Sequence, residues 1–297
     1  MKGWVMDGIA KEAPHSLKLQ NRTIYLPTRL SHNFMFNPYL LKFFLKKETK
    51  VLFLHHRALL KYFDYINPEN TRVFITHIDE NDSLGAKELA KMAKINRVIF
   101  QNSNLMEWAI GQGIPKARCL VAHGAVSKDL FFPSSKLFSP KFVLISGELK
   151  SRKNPQMIRQ LVLFRKDINF VIHGNGWGKL FDSELPPNLR ISDFHKELQP
   201  RLAREASALL SISHNEGGPF PVIEALASGT PVLATNTGFC KELINKENGL
   251  VVDVSSDLLT IARSLDKVIG LKPKVFRSDL LPDGHSWQEF AKKLYIQ

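Results

Sequence analysis

The sequence predicts an α/β protein built from two doubly wound, parallel-sheet domains. Short runs of β-branched and aliphatic residues recur along the chain. They are continuously apolar, as in strands buried on both faces of a parallel sheet. Stretches with helical periodicity separate these runs, which is the order of elements found in α/β folds. The length of 297 residues is sufficient for two such domains.

The apolar runs and the breaks between them place the elements in order. The predicted strands are residues 51–54, 73–76, 97–100, 119–122, 142–146, 169–174, 208–213, 231–235 and 249–253. The clearest helical patterns are residues 85–93, 104–111, 155–163, 198–207 and 221–228. Two prolines and three serines in residues 132–141 break both periodicities. We therefore expect an N-terminal domain at 1–138, a C-terminal domain at 139–284, and a helix at 285–297 that packs on the N-terminal domain.

Positive charge is concentrated towards the N-terminus. The chain has 41 Lys and Arg against 28 Asp and Glu, a formal charge of +13, of which +7 lies in the first 64 residues. Such a surface attracts nucleic acid, an acidic membrane or a phosphorylated substrate. Residues 38–50 mix leucine and phenylalanine with four lysines. This composition fits a basic amphipathic element on anionic lipid as well as an ordinary helix with solvated lysines.

Cysteine usage and hydropathy favour a reducing compartment. Cys119 and Cys240 are the two cysteines, and they are too far apart in sequence to indicate a disulfide framework or a metal cluster. No apolar run approaches the ~20 residues that span a bilayer, and the first residues lack the apolar core of a secretory signal. We expect a cytoplasmic protein, with any membrane contact peripheral and at the inner face.

The segment between the strands predicted at 208–213 and 231–235 has the layout of an anion site. Glu216, Gly217 and Gly218 form a loop, and the prolines that follow suit the first turn of a helix. Backbone N–H groups and the helix dipole at such a start face a bound anion. Glu216 and Glu224 bracket this site, where they suit hydrogen bonds from sugar hydroxyls. A solvated loop carboxylate and a dipole-favoured helix carboxylate explain the spacing equally well.

These residues resemble the E-x7-E motif of the retaining glycosyltransferases with the GT-B fold, in glycosyltransferase family 4. The run EALASGTPVLATNTGFCKELINKENGLVVD, from Glu224 to Asp253, is similar to the conserved run that follows this motif in the family. The resemblance extends over nearly all of residues 97–297, and it includes ISGELKSRKNP at Ile145–Pro155. It implies two Rossmann-like parallel-sheet domains that face a cleft.

The resemblance also implies how a nucleotide diphosphate sugar is bound. Glu216 would contact the transferred sugar, Glu224 the ribose and Lys153 the diphosphate. Many members have an arginine where this chain has Glu148, so Arg152 is the candidate replacement, with another lysine nearby. The implied donor-binding residues are Gly147, Arg152, Lys153, Gly174, Asn175, Glu216, Gly217, Gly218, Phe220 and Glu224, with a base pocket at Ile191, Phe194 and His195.

The N-terminal half provides the predicted acceptor side. His77 and Asp79 follow one predicted strand, and His123 and Gly124 follow another. Ligands of open α/β sheets lie beyond the carboxyl ends of the strands. A histidine at a strand end beside a helix-starting aspartate explains the first pair without a function. The residues predicted to be catalytic are Glu216, Lys153, Arg152 and His77. The first residues resemble the helix that follows the family's first strand and glycine-rich loop, so we expect that strand to be missing or rearranged.

The leading hypothesis is a retaining glycosyltransferase that moves a sugar from a UDP- or GDP-linked donor to a glycan or lipid-linked acceptor. The resemblance implies no metal and no other cofactor. Glu148 and the divergent N-terminus favour the alternative of a related subunit that binds without efficient catalysis. A nucleic-acid-binding protein is less favoured because the chain has no helix-turn-helix pattern, zinc spacing or aromatic RNP strand. A dehydrogenase requires a glycine fingerprint after the first strand, which is absent.

Overall fold

A computed structural model describes residues 4–18, 50–78, 84–134, 142–181, 184–271 and 279–297. The segment predicted to contact membranes, 38–50, lies outside these residues except for Lys50, and so does Asp79. The chain divides into two compact units, residues 1–124 together with 287–297, and residues 125–286. The domain boundaries expected after residues 138 and 284 stay predictions.

The described elements alternate between strands and helices. The strands are β1 (Val51–Phe53), β2 (Thr71–Ile75), β3 (Arg97–Phe100), β4 (Cys119–Val121), β5 (Val143–Ser146), β6 (Phe170–His173), β7 (Leu189–Ser192), β8 (Ala208–Ser211), β9 (Val232–Thr235) and β10 (Gly249–Val252). The α-helices are α1 (Trp4–Ser16), α2 (His56–Tyr62), α3 (Ala86–Met92), α4 (Ser103–Gly111), α5 (Pro155–Phe164), α6 (Gln199–Glu205), α7 (Phe220–Ala227), α8 (Cys240–Leu243), α9 (Leu258–Ile269) and α10 (Trp287–Tyr295).

The first unit contains a parallel sheet in the order β1-β2-β3-β4. Its central strands β2 and β3 are mostly buried, as the continuous apolar runs predict, whereas the edge strands β1 and β4 are mostly half-buried. Helix α10 packs in this unit, where Phe290 meets Phe74 edge-to-face with ring centroids 5.6 Å apart. Arg72 on β2 donates hydrogen bonds to the carbonyl oxygens of Leu294 and Ile296. These bonds satisfy carbonyl groups at the end of α10 that have no partner within the helix.

The second unit contains a parallel sheet in the order β10-β9-β8-β5-β6-β7. The chain runs outward from β5 to β7, returns to place β8 beside β5, and then runs to the other edge through β9 and β10. The direction of winding therefore reverses between β5 and β8. In open α/β sheets, such a reversal opens a crevice at the carboxyl ends of the two strands, where ligands bind.

The sequence-based assignment of a parallel α/β protein is confirmed. Each predicted strand is present with ends shifted by at most about two residues, the usual error at element boundaries. β7 is not among the strands that the apolar runs predict. Helix α9 had no explicit prediction, although Ile261, Leu265 and Val268 form one buried face with helical spacing.

Candidate functional site

The loops that follow β5 and β8 carry the charged residues predicted to bind the donor. The loop after β5 contains Gly147 and a 3-10 turn over Ser151–Lys153. Asn154 then adopts a left-handed conformation at φ 54°, and Pro155 begins α5. The loop after β8 contains Glu216 and leads into α7. The two loops lie at the winding reversal of the sheet, where a ligand is expected.

Glu216 pairs with both predicted cations. Lys153 Nζ lies 2.6 Å from Glu216 Oε1, and the Arg152 guanidinium contacts Glu216 Oε2. Ser213 Oγ donates a hydrogen bond of 3.0 Å to Glu216 Oε1. The backbone joins the same loops, because His214 N–H donates to Arg152 O over 2.7 Å. Two positive charges and one negative charge therefore meet at one point, with a net charge of about +1.

The pKa of Glu216 is held below its ordinary value against the effect of burial. Burial is the largest influence and by itself raises the pKa, but the positive charges of Lys153 and Arg152 outweigh it. The side chains of Glu216 and Lys153 are only 7% and 15% exposed, so water screens this pair little. Glu216 is consequently ionised at neutral pH, so its carboxylate oxygens accept hydrogen bonds from neighbouring donor groups.

Glu148 and Lys150, by contrast, form a surface pair. Lys150 Nζ lies 3.2 Å from Glu148 Oε2, with side chains that are about half exposed. Lys150 thus engages the residue that replaces the family's arginine, and Arg152 reaches Glu216. Lys150 and Arg152 are the two cations near Glu148, where the sequence departs from the family pattern. Of these two, Arg152 is the one that contacts Glu216.

A close backbone contact joins the loops after β5 and β6. A Cβ atom on Gly174 would lie 1.9 Å from Gly147 O, so only glycine fits at residue 174. Trp177 Nε1–H donates to the same oxygen over 2.7 Å. Gly147 has a φ of 122°, and a Cβ there would lie 3.5 Å from Lys153 Nζ. Gly147 and Gly174 therefore let these loops pack directly beneath the Lys153 side chain.

The predicted base pocket makes a hydrogen bond with Asn175, a predicted donor-binding residue. Phe194 N–H donates to Asn175 Oδ1 over 2.8 Å. The ring of buried His173 hydrogen-bonds to the backbone of His195 and lies 5.2 Å, between centroids, from the ring of Phe194. Ile191 lies on β7, immediately before this loop. The predicted base pocket and the predicted donor-cleft residue Asn175 are therefore in contact.

Glu224 lies in a different environment from Glu216. It is on α7 and accepts a hydrogen bond of 2.7 Å from Gln199 Nε2, and Gln199 Oε1 accepts one from Ser146 Oγ. Burial is the main cause that raises the pKa of Glu224 to about 7, while the hydrogen bond from Gln199 and the charge of Lys196 oppose it. The two carboxylates of the motif thus have pKa values displaced in opposite directions.

Helix α7 begins where the sequence predicted it. Pro219 precedes it, Phe220 is its first residue and Pro221 occupies its first turn. Gly217 is buried and Gly218 half-buried in the approach to this turn. The positive end of the helix dipole is therefore directed at the loop that carries Glu216.

The residues predicted for the acceptor side lie in the first unit. His77 follows β2, and its Nδ1 lies 2.9 Å from Thr76 Oγ1. His123 and Gly124 follow β4, and Gln101 Nε2 donates to His123 O over 3.0 Å. They share the carboxyl edge of one parallel sheet, as predicted from the strand pattern.

Sequence reasoning missed several polar residues around the motif. Gln199 and Ser213, which hydrogen-bond to the two glutamates, are both buried. No motif identifies them, since a glutamine at a helix start and a serine after a strand are usually unremarkable. In the parts of the chain that the structure describes, no three His, Cys, Asp or Glu residues are grouped as metal ligands. Nor do those parts contain a helix long and apolar enough to cross a membrane.

The fold is the GT-B fold of glycosyltransferases, and the sequence identifies the family. The sequence profile of the glycosyl transferases group 1 family matches residues 127–277, just over half of the chain. The chain belongs to this family. No curated protein matches the chain by sequence.

Solved structures with similar folds include those of TarM, WaaB and HepE. TarM, known from S. aureus, aligns over 88% of this chain and 57% of its own, with a TM-score of 0.66 and 18% identity. The lipopolysaccharide outer core galactosyltransferase WaaB aligns over 87% of this chain and 78% of its own, with a TM-score of 0.63 and 15% identity. Anabaena Alr3699/HepE, solved with UDP-glucose, aligns over 86% of this chain and 77% of its own, with a TM-score of 0.64 and 14% identity. At these identities the similarity establishes the GT-B fold, and the chain spans less than two thirds of the length of TarM.

Proposed function

We propose that the protein transfers a sugar from a nucleotide diphosphate sugar to a glycan or lipid-linked acceptor, with retention of anomeric configuration. The observation that carries this proposal is the meeting of Arg152, Lys153 and Glu216 at the winding reversal of the second sheet. A diphosphate requires fixed positive charge, and a sugar requires a hydrogen-bond acceptor beside it. This cluster provides both the positive charge and the hydrogen-bond acceptor, on side chains that contact one another.

The proposed donor is bound by residues of the second unit. Lys153 and Arg152 neutralise the diphosphate together with the start of α7. Glu216 accepts hydrogen bonds from hydroxyls of the transferred sugar, and Glu224 from the ribose. The base lies near Ile191, Phe194 and His195. The structure of HepE with UDP-glucose makes a UDP-sugar the first donor to test, with GDP-sugars second.

The proposed reaction breaks the bond between the anomeric carbon and the diphosphate oxygen, and it forms a bond from the same carbon to the acceptor hydroxyl oxygen. Negative charge develops on the leaving phosphate, and preorganised Lys153 and Arg152 stabilise it. The acceptor hydroxyl passes its proton to the departing phosphate oxygen on the same face, which gives retention without a covalent nucleophile. In this mechanism the two side chains serve in place of a metal ion.

The proposed acceptor is a glycan or a lipid-linked glycan, bound with the help of His77 and the residues after β4. The charge of +7 in the first 64 residues supports an anionic acceptor or an anionic membrane surface. On this proposal the protein is cytoplasmic and associates peripherally with the inner face of a membrane.

A panel of nucleotide sugars tests the donor. UDP-glucose, UDP-galactose, UDP-N-acetylglucosamine and GDP-mannose are each added in a thermal unfolding assay. A ligand at about 100 times its Kd stabilises the folded state by about 2.7 kcal/mol, so a true donor raises the Tm by several degrees. Glu216→Ala and Lys153→Ala should weaken the response. If no member of the panel raises the Tm, the proposal is wrong. With an active donor, the anomeric configuration of the product, read by NMR, tests retention.

A further inference from the structure

An open pocket lies beside the Glu216 loop, over the half of the sheet formed by β8, β9 and β10. It has a volume of about 540 Å³ and is lined by His214, Asn236, Asp253, Val254 and Ser255. Four of these five residues are exposed, so the pocket is open to solvent and a ligand there stays partly in water.

The pocket is built at the carboxyl ends of three adjacent parallel strands. His214 follows β8, Asn236 follows β9, and Asp253 follows β10. Asn236 N–H donates to Val252 O over 2.9 Å, which extends the ladder between β9 and β10 to the pocket wall. The carboxyl edge of a parallel sheet is the edge where α/β proteins bind ligands.

The same hydrogen bonds that position Glu216 also position this pocket. His214 N–H donates to Arg152 O over 2.7 Å, and His214 precedes Glu216 by two residues. Thr235 Oγ1 donates to Ser213 O over 2.6 Å, which joins the end of β9 to the end of β8. The loop after β8 therefore lines the pocket through His214 and also contains Glu216 of the charged cluster.

The lining chemistry suits a sugar rather than a phosphate. An imidazole, an amide, a carboxylate and a hydroxyl supply both donors and acceptors, which match hydroxyl groups that both donate and accept. The five lining residues include Asp253 and no lysine or arginine, so a phosphate there would face a carboxylate without a fixed cation.

The sheet order separates this pocket from the donor-binding residues. The residues predicted to bind the donor follow β5, β6, β7 and β8, whereas the pocket lies over β8, β9 and β10. The two sets share only the loop after β8, which contains Glu216, the residue proposed to contact the transferred sugar. We infer that the pocket binds a sugar residue of the acceptor, next to the point of transfer. This inference rests on the proposed function.

Saturation-transfer NMR on the full chain tests the inference without requiring turnover. The probes are glucose, galactose and N-acetylglucosamine disaccharides, each with and without saturating UDP. We expect at least one disaccharide to bind. Asp253→Asn and Asn236→Ala should weaken its binding by about tenfold, the effect of losing a hydrogen bond to a bound hydroxyl. The Kd for UDP should change less than about twofold, because these side chains lie outside the donor set.

Asp257→Asn is the matched control. It makes the same chemical change four residues further along, where Asp257 caps α9 through Thr260 N–H and asparagine caps equally well. It should leave disaccharide binding unchanged. Normal UDP binding without any disaccharide signal, or a signal that Asp253→Asn does not weaken, overturns the inference and leaves the proposed function standing. Loss of UDP binding in the wild-type chain counts against the proposed function instead.

Discussion

Lys153 Nζ lies 2.6 Å from Glu216 Oε1, although the two residues come from loops after different strands. The side chains are only 15% and 7% exposed, so the pair is one of buried charges. Burying a charge is costly unless a partner of opposite sign is held in contact. Glu216 thus depends on Lys153 and Arg152 for its charge.

Lys153→Met should destabilise the protein and weaken donor binding. Methionine fills similar volume without charge, so it leaves Glu216 with Arg152 alone. We expect a loss of about 1–3 kcal/mol in the free energy of unfolding, measured in urea at pH 7. The Kd for UDP, measured by calorimetry, should rise by about tenfold or more.

Lys150→Met is the control for that substitution. It removes the same charge from the same loop, but Lys150 forms an exposed pair with Glu148. The change in unfolding free energy should stay within about 0.5 kcal/mol. Equal effects of the two substitutions on UDP binding would contradict the assignment of Lys153 to the diphosphate.

Gly174→Ala should disrupt the site by pushing two loops apart. The new Cβ would lie 1.9 Å from Gly147 O, and both groups belong to backbone that cannot rotate away. We expect a destabilisation of about 3 kcal/mol or more, measured as unfolding free energy in urea. Gly178→Ala serves as the comparison, because a Cβ at residue 178 meets nothing within 4 Å. A Gly174→Ala protein as stable as Gly178→Ala would show that the loops are not in direct contact.

The strands that were easiest to predict are those with both faces buried. Such strands need a continuous apolar run, and VLIS at Val143–Ser146 and VLAT at Val232–Thr235 are fully buried. β7 was harder to identify, because Arg190 is exposed and interrupts the run. The strand order was not readable in the residues themselves, since it depends on how helices return the chain across the sheet.

The spacing of Glu216 and Glu224 was visible in the sequence, but their different ionisation was not. Both are buried glutamates, yet one contacts two cations from a distant loop and the other contacts the amide of Gln199. The partner, and hence the direction of each pKa displacement, depends on tertiary contacts. The same holds for the pocket residues Asn236 and Asp253, which no local pattern distinguishes from ordinary loop residues.

The basic N-terminal segment should bind anionic membranes in a salt-dependent way. Each lysine near such a surface contributes about 1 kcal/mol, so removal of four lysines from residues 38–50 should weaken binding by about a hundredfold or more. The measurement is cosedimentation with vesicles of phosphatidylglycerol and phosphatidylcholine at low and high salt. In the variant, glutamine replaces each of the four lysines, Lys42, Lys46, Lys47 and Lys50.

A second variant with the same loss of charge controls for net charge. It replaces by glutamine four lysines elsewhere in the N-terminal half, Lys11, Lys87, Lys94 and Lys116. We expect this variant to retain most of the binding, because it keeps the four lysines of residues 38–50, to which we assign the membrane contact. Absence of cosedimentation of the wild-type chain at every salt concentration excludes the membrane role.

Glu224→Gln should stabilise the protein increasingly as the pH rises. The ordinary pKa of 4.5 is raised to about 7 in the folded chain, chiefly by burial. Between these values the folded chain retains a proton that the unfolded chain has released. The stability that the neutral carboxyl contributes is fully present below pH 4.5 and is lost as the pH rises to about 7. Glutamine does not titrate, and its amide oxygen accepts the hydrogen bond from Gln199.

The difference in unfolding free energy between Glu224→Gln and the wild type should therefore grow by about 1–3 kcal/mol from pH 5 to pH 8, measured in urea. Glu197→Gln makes the same chemical change at an exposed position and is the comparison variant in the same measurement. If the Glu224→Gln difference stays constant or shrinks over this range, Glu224 is ionised in the folded protein. Its burial with Gln199 would then be offset by a cation close to it.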